Sequence, residues 1–402
     1  MDFNIVRNDF PTMRKGNGVY LDSACQSLRP DSVIRAITEY YEDYPSCGGR
    51  SVHSMATQVS MGIDESREKL ASFFGTKNPD SYVFTKNCTE GINTVARGFG
   101  LKKGDVVVTS DTEHNSNHVP WLFLENEVGI KRRYSRSDAN GEFDIESFKS
   151  CMSKDVKLVS IQHTGNVTGC VTPVEDITEI AHEYDARVMI DGSQAAPHFE
   201  VNLKDLDVDF YSMSIHKMCG PSGMGVLYGK EECLKDLRPL IVGGGTVGLA
   251  TYDHVDLAPA PEKFEAGLQN YSGILGTKAA LEYLEKVGLD NISAHDKELM
   301  RYIFDGIQDV KGISVIGPSD PSKRSGVFSF NISGLGSHDV AMMLDNIDNI
   351  MVRSGMHCTH PFYVSRKIEG SVRASVYLYN NEEDIMRFTT ALKKVAETFG
   401  DH

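Results

Sequence analysis

The chain has 402 residues, 40% hydrophobic and 24% charged, with a formal net charge of −15. That length exceeds one small core and suggests a large α/β unit with a smaller one, while the acidic balance, with no basic run longer than KRR at 131–133, argues against a polyanion partner. The opening MDFNIVRNDF lacks the apolar stretch of a secretory signal, and no window approaches the ~18 apolar residues of a membrane span, so a cytoplasmic protein is expected.

Eight cysteines are scattered, at 25, 47, 88, 151, 170, 219, 233 and 358, with no CxxC pair and no Cys/His tetrad at zinc spacing. A reducing compartment argues against a disulfide framework, and most of them read as small buried hydrophobes. Cys358, which stands among histidines, is the exception.

Residues 1–17 carry little pattern and read as an arm. VYLDSACQSLRP is an extended piece ending in a turn before a helix that starts near Asp31. SCGGRSVHS, too rich in glycine and serine for a regular element, is a loop leading to a helix with apolar positions near Met61, Ile63 and Leu70. From Ser81 short apolar strands alternate with helices: YVFT then a helix from Thr89, VVVTS then one from about Ser116, KLVSIQHT then one from Val174, and finally RVMIDGSQ. Such uniform runs indicate a parallel sheet buried on both faces. Ligands then collect outside the carboxyl ends of its strands.

Two further strands, DFYSMS and GMGVLYG, flank the turn SIHKMCGPSG. VGGGTVG lacks the GK[ST] and GxGxxG patterns of nucleotide loops and reads as a flexible loop near a subunit or active-site edge. Helical patterns over about 272–287 and 292–310 precede GVFSFNI, IMVRSG and SVRASVYL, strands of a second, smaller sheet closed by a helix from Glu382. The expected division is an arm over 1–20 that packs on the small domain, a large domain over 21–288 and a small domain over 289–402.

Lys217 sits at a strand end, in the turn after DFYSMS. A lysine held against apolar neighbours loses hydration, which favours the neutral, nucleophilic amine that Schiff-base chemistry needs. Asp191 ends another strand twenty-six residues earlier, as a helix cap or as a charge aimed into the ligand crevice. The pair decides in favour of the crevice, because an Asp beside a Lys at neighbouring strand ends suits pyridoxal phosphate: the Lys carries the cofactor and the Asp keeps its ring nitrogen protonated. Thr89, near the start of the helix after YVFT, is a simple cap or a phosphate donor; the chain order of Thr89, Asp191 and Lys217 favours the phosphate. His114 could cap its helix or stack on a pyridine ring, and His216 could orient the cofactor or cap its strand.

The succession FTKNCTEGIN, DTEHNSNHVPW, QHTGNVTG, DGSQAAPH, SIHKMCGPSGMGVLYG, FEAGLQN, MVRSGMHC and RAS resembles the class V aminotransferases of fold type I, and among them the Suf-type cysteine desulfurases, from Tyr20 to about Tyr379. The resemblance implies an α/β protein with a large, mostly parallel sheet domain flanked by helices and a smaller α+β C-terminal domain. It implies that Lys217 holds pyridoxal phosphate, Asp191 its ring nitrogen, Gln194 its phenolic oxygen and His114 the stacking position. Thr89, Ser214 and His216 would hold the phosphate, with Glu90 in the same cofactor-binding turn. Asn166 would lie beside ring and substrate, Arg373 would bind the substrate carboxylate, and Arg50 would join it in substrate binding.

Cys358, by the same resemblance, is the sulfur-accepting nucleophile, with His357 and His360 near enough to favour its thiolate. The implied reaction converts L-cysteine to L-alanine and leaves a persulfide on Cys358, bound for an acceptor protein of iron–sulfur assembly or another thiolation pathway. A homodimer is implied, with EAGLQN and SCGGRSVHS contributed across its interface. Gly49, Met356, Leu268 and the LDSACQS segment depart from the family pattern. The competing readings are a selenocysteine lyase, another class V aminotransferase-type enzyme in which Cys358 is incidental, and an inactive scaffold of a sulfur-transfer complex.

Overall fold

The computed structural model describes residues 1–16 and 18–400. Seven strands build the large sheet: β1 (Tyr82–Thr85), β2 (Val106–Ser110), β3 (Lys131–Ser135), β4 (Val156–Gln162), β5 (Arg187–Asp191), β6 (Phe210–Ser214) and β7 (Gly225–Gly229). Their spatial order is β1-β7-β6-β5-β4-β2-β3. The runs read as strands therefore form one sheet, with β1, β2, β6 and β7 buried along their whole length and β5 buried beyond Arg187.

The sheet is mixed, not wholly parallel, because β7 runs antiparallel to both β6 and β1. No crossover helix lies between β6 and β7, and a parallel return requires one. Strand β3 drew no expectation, since KRRYS is charged. It lies at the sheet edge, where charged side chains blunt unwanted pairing; Arg132 and Arg133 pair there with Glu125 and Asp155.

Helices cover this sheet: α1 (Asp31–Asp43), α2 (Ser54–Phe73), α3 (Cys88–Gly98), α4 (Asn115–Glu127), α5 (Val174–Glu183) and α6 (Tyr271–Val287). α7 (Leu289–Ile307) follows, and α8 (Glu382–Phe399) closes the chain behind a capping box of Asn381 and Asp384. VGGGTVG runs into a hairpin of β8 (Val247–Ala250) and β9 (Val255–Leu257), all of it exposed.

The smaller sheet is antiparallel, in the order β10-β11-β13-β12, from β10 (Ile313–Ile316), β11 (Val327–Ile332), β12 (Arg353–Gly355) and β13 (Ser371–Ser375). IMVRSG is split: Ile350–Met351 pairs in parallel with Val19–Tyr20, while β12 pairs with β13. A separate apolar cluster lies beneath this sheet, built on Phe328, Phe330 and Phe388. Each buried phenylalanine contributes about 2 to 3 kcal/mol relative to exposure.

The arm has more pattern than its sequence suggests. Short helices at Phe3–Arg7 and Pro11–Arg14 bury Val6, Phe10 and Met13, at the four- and three-residue spacing of one helical face. The turn at Asn8 and Asp9 interrupts that face. Phe10 meets Tyr283 and Tyr379 edge-on at 5.7 and 4.9 Å, and Arg7 pairs with Asp384 at 2.6 Å. The arm thus touches both layers of the molecule. Position 17 lies outside the described residues.

Candidate active site

The carboxyl ends of β4, β5 and β6, and the segments leaving β1 and β2, converge on a cavity of about 200 Å³. Nine of the residues singled out from sequence share its wall: Thr89, His114, Asn166, Asp191, Gln194, Ser214, His216, Lys217 and Arg373. That is the crevice expected of an open α/β sheet.

Lys217 ends a single helical turn, Ile215–Lys217, directly after β6. The loop is held from the Ser27–Arg29 segment: the Ser27 amide donates to the His216 carbonyl at 3.0 Å, the Cys219 amide to Ser27 Oγ at 2.8 Å, and Arg29 Nε to the Gly220 carbonyl at 2.8 Å. Gly220 has no substitute here, since a Cβ would lie 2.2 Å from Ile215 Cγ2. Burial lowers the Lys217 pKa, Asp191 opposes that shift, and Arg373 adds to it. The amine is thereby pushed towards its neutral form.

The Asp191 carboxylate is tied down on one oxygen. Oδ1 accepts from the Ser193 amide at 3.0 Å and from the Cys88 thiol at 3.2 Å. Burial, and then the charge of Asp191, pushes the Cys88 thiol well above its usual range, so it stays protonated and donates.

Opposite lies the N-terminus of α3. Asn87 caps it by accepting from the Glu90 amide at 3.0 Å, and the Cys88 amide donates to Ser214 Oγ at 3.0 Å. Thr89 Oγ1 and Ser116 Oγ are 2.7 Å apart. The free amides and hydroxyls of such a turn suit an anion. Glu90, expected at the cofactor, is not part of this wall: its carboxylate turns back to accept from the Lys86 amide. Like charge would in any case repel a phosphate.

His114 is both things the sequence left open. It caps α4, with Nδ1 accepting from the Ser116 amide at 3.1 Å, and its ring lines the cavity. Burial, then the charge of Lys217, lowers its pKa to about 4, and burial and Lys217 bring His216 to about 4 as well. Both rings are neutral near pH 7.

Asn166 joins the two sheets. Its Nδ2 donates to the His357 carbonyl at 2.7 Å, and its Oδ1 accepts from Arg373 at 2.8 Å and Gln194 at 3.0 Å. The second Gln194 N–H goes to the Ala24 carbonyl at 2.8 Å. Both amide hydrogens are spent, so Gln194 reaches a phenolic oxygen only by exchanging one of these bonds. Arg373, 1% exposed, also faces Asp22 at 3.5 Å. Gln194 Oε1 and Arg373 Nε are buried and bond nothing among the described residues.

Two predicted residues stand apart. Arg50 is exposed and borders a different cavity, of about 300 Å³, with Gly49, Gly267 and Gln269. The loop SCGGRSVHS and the segment EAGLQN therefore do meet, away from Lys217. Cys358 stands just outside the main cavity, in a loop where it and His357 both adopt left-handed backbone, φ 56° and 48°. Such conformations cost on the order of 1 kcal/mol or more each and persist only where the surroundings enforce them.

The imidazoles do not flank the Cys358 sulfur as expected. His357 Nε2 lies 3.0 Å from Ser371 Oγ, and burial, Arg373 and Arg353 lower its pKa to about 2. His360 Nδ1 is occupied by Asn115 Nδ2 at 2.8 Å. The cation at the thiol is Arg353, whose guanidinium lies 3.8 Å from Cys358 Sγ and 2.8 Å from Cys25 Sγ. Sequence reasoning passed over Arg353, Cys25 and Ser116. Each left a trace only within a longer run, Arg353 in MVRSGMHC, Ser116 in DTEHNSNHVPW and Cys25 in the unusual LDSACQS.

Residues 19–388 match the family model described as "Aminotransferase class-V". A probable cysteine desulfurase of Halalkalibacterium halodurans is 38% identical over 407 residues, covering 100% of this chain and 99% of its own. Among solved structures, the apo cysteine desulfurase of Thermococcus onnurineus is 37% identical with a TM-score of 0.94, covering 98% of both chains. The cysteine desulfurase CsdA of Escherichia coli, in an S-sulfonic acid form, is 30% identical with a TM-score of 0.92, covering 99% of both.

Proposed function

The chain belongs to the class-V aminotransferase family, and we propose that it is a pyridoxal-phosphate-dependent cysteine desulfurase that converts L-cysteine to L-alanine and keeps the sulfur as a persulfide on Cys358. The observation that carries this reading is the convergence of Lys217, Asp191 and Arg373 on one cavity whose neighbouring loop bears a thiol against a guanidinium. Relatives at 34 to 38% identity over nearly the whole chain are named cysteine desulfurases.

The residues present fit the cofactor. Lys217 would hold it, Asp191 would face its ring nitrogen, His114 its ring, and the α3 N-terminus with Thr89, Ser214 and His216 its phosphate. The unpaired Gln194 Oε1 and Arg373 Nε leave buried polar capacity in the wall for cofactor and substrate. When bound, pyridoxal phosphate withdraws electrons from the substrate Cα.

The chain's own groups do the rest. Arg373, stripped of water and held by Asn166, clamps the substrate carboxylate. The Lys217 amine, biased to its neutral form, takes the Cα proton. Cys358 Sγ attacks the substrate sulfur, the carbon–sulfur bond breaks, and its electron pair returns to the carbon that becomes the alanine methyl group. Arg353 offsets the negative charge carried by the attacking sulfur.

A homodimer is part of the proposal. Leu249, Tyr252, Val255 and Leu268 are all more than half exposed along the β8–β9 hairpin and the EAGLQN segment. An apolar face of this kind favours a partner surface, and only a second copy would bring Arg50 near a cavity like that of Lys217. Among the described residues no helix is long and apolar enough to cross a membrane; a cytoplasmic location and a dedicated sulfur acceptor belong to the proposal.

The test is product analysis on the purified holoenzyme given cysteine and a reductant. Equal alanine and sulfide from the wild type, with sulfide lost in Cys358→Ala, is the expected result. Mercaptopyruvate in place of alanine, with the amino group left on the cofactor, would move the reading to an aminotransferase.

A further inference from the structure

Of the eight cysteines, five are buried and three are partly open: Cys25, Cys47 and Cys358. Only Cys25 and Cys358 share a partner. Arg353 spans them, NH1 2.8 Å from Cys25 Sγ and NH2 3.8 Å from Cys358 Sγ. Of the two, Cys25 is the one in the wall of the Lys217 cavity. The same wall carries Lys217, Arg353 and Arg373.

The backbone keeps Cys25 there. Asp22 bridges to Ser375, the Ala24 amide donates to Ser375 Oγ at 2.9 Å, and the Ala24 carbonyl accepts from Gln194. Ser375 ends β13, the strand that carries Arg373, and Arg373 is the register partner of Arg353 on β12. Cys25, Arg353 and Arg373 are thus held by one sheet edge. The buried, unpaired Arg373 Nε and Gln194 Oε1 mark the same place as one built for a ligand.

We propose that Cys25 is a second persulfide site, which takes the sulfane sulfur from Cys358. The inference rests on the desulfurase reading. The Cys25 thiolate attacks the outer sulfur of the Cys358 persulfide. A Cys25 Sγ–S bond forms, the Cys358 Sγ–S bond breaks, and the electron pair leaves on Cys358, which recovers the proton that Cys25 gave up. One thiol and one persulfide become one persulfide and one thiol, with no net oxidation. Arg353, touching both sulfurs, accompanies the negative charge from one to the other. Cys358 is then free to accept again, so one chain stores two sulfur atoms.

The experiment gives holoenzyme excess L-cysteine without reductant, blocks persulfides with an alkylating agent that retains the sulfane sulfur, and maps the peptides by mass. Wild type should carry one added sulfur on both the Cys25 and the Cys358 peptides, and should release about two alanines per chain before stalling. Cys25→Ser should label Cys358 alone and halve that burst, with retained cofactor absorbance showing that it folds. Cys358→Ala should label neither.

Wild type labelled on Cys358 only, with one alanine per chain, would overturn the proposal and leave the desulfurase reading standing. A Cys25–Cys358 disulfide with release of sulfide would also overturn it, by making Cys25 a resolving thiol. Cys25 labelled in Cys358→Ala would reverse the direction of transfer. No alanine from any of the proteins would instead remove the desulfurase reading itself.

Discussion

Replacing Asn166 by alanine tests whether the two sheets are coupled through one side chain. Asn166 is 5% exposed and makes three strong bonds, to the His357 carbonyl and from Arg373 and Gln194. Each partner left buried and unpaired costs about 1 to 3 kcal/mol, more for the charged one. A dry site would therefore lose on the order of 5 kcal/mol. The vacancy opens onto the 200 Å³ cavity, however, and water entering it can rebond all three groups. Global stability should then fall by only about 1 to 2 kcal/mol.

Function should suffer more. Arg373 loses its main anchor, the Cys358 loop loses the bond at the His357 carbonyl, and a displacement of about 1 Å can cost 100-fold in rate. Asn166→Asp keeps the acceptor for Arg373 and Gln194 but abandons the His357 carbonyl, which separates the two effects. In single-turnover alanine formation at saturating cysteine, Asn166→Ala should be slowed at least 10-fold, with faster amide exchange over 356–360. Asn166→Asp should recover cysteine affinity while keeping the fast exchange. Wild-type turnover with unchanged exchange in Asn166→Ala would refute the coupling.

Asp191→Asn should keep the fold but lower turnover by about 100-fold, because a neutral amide no longer favours a protonated ring nitrogen; cofactor absorbance and alanine yield read this directly. Glu90→Gln should leave the spectrum of bound cofactor and cysteine turnover within about twofold, since its carboxylate serves only a surface turn, at a cost of no more than about 1 kcal/mol; a loss of cofactor would put Glu90 back in the site. Acid lability follows from the buried histidines. His114, His163 and His216 are held to about 4 and His357 to about 2, so between pH 6.5 and 4.5 the unfolded chain binds protons that the fold refuses. Their stabilisation is present above pH 6.5 and is lost as pH falls. Glu113, raised to about 8 by burial, runs the other way, keeping a proton that the unfolded chain releases. Burial raises Asp22 and Glu265 as well, which offsets part of the effect, but the four histidines outnumber the three carboxyls, so stability should fall as pH drops, and urea midpoints that hold constant from pH 6.5 to 5.5 would contradict it.

Most of the sheet was legible because fully buried strands leave short, uniformly apolar runs. YVFT, VVVTS and FYSMS coincide with β1, β2 and β6. The charged edge strand β3 was illegible for the opposite reason: its side chains answer to solvent and to Glu125 and Asp155 rather than to a core. The direction of β7 was illegible too, since a strand carries no mark of its neighbours' direction; only the missing crossover helix after β6 decides it. Five site residues, Thr89, His114, Asp191, His216 and Lys217, were recoverable because strand ends on one sheet must face one crevice, whatever the loops between them do; Asn166, Gln194, Ser214 and Arg373 were legible only through the family resemblance.

The thiol's surroundings required the fold. His357 and His360 are neighbours of Cys358 in sequence, and proximity along the chain suggested that they activate it. In a tight loop, however, adjacent side chains diverge, and His357 turns inward to Ser371 while His360 turns to Asn115. Arg353 is five residues away, but the left-handed turn at His357 and Cys358 folds the loop back onto β12 and sets the guanidinium against the sulfur. A fixed cation has a consequence that an imidazole lacks. It stays charged across the whole working range of pH, so the sulfur chemistry at Cys358 should not lose its partner as histidines titrate near neutrality, and the same guanidinium can serve Cys25 without changing its own protonation. If Arg353→His supported turnover that rose below pH 6.5 as its imidazole charged, the role of the guanidinium would be that of a simple positive charge. If turnover stayed low at every pH, the two-pronged reach to both sulfurs would be what matters.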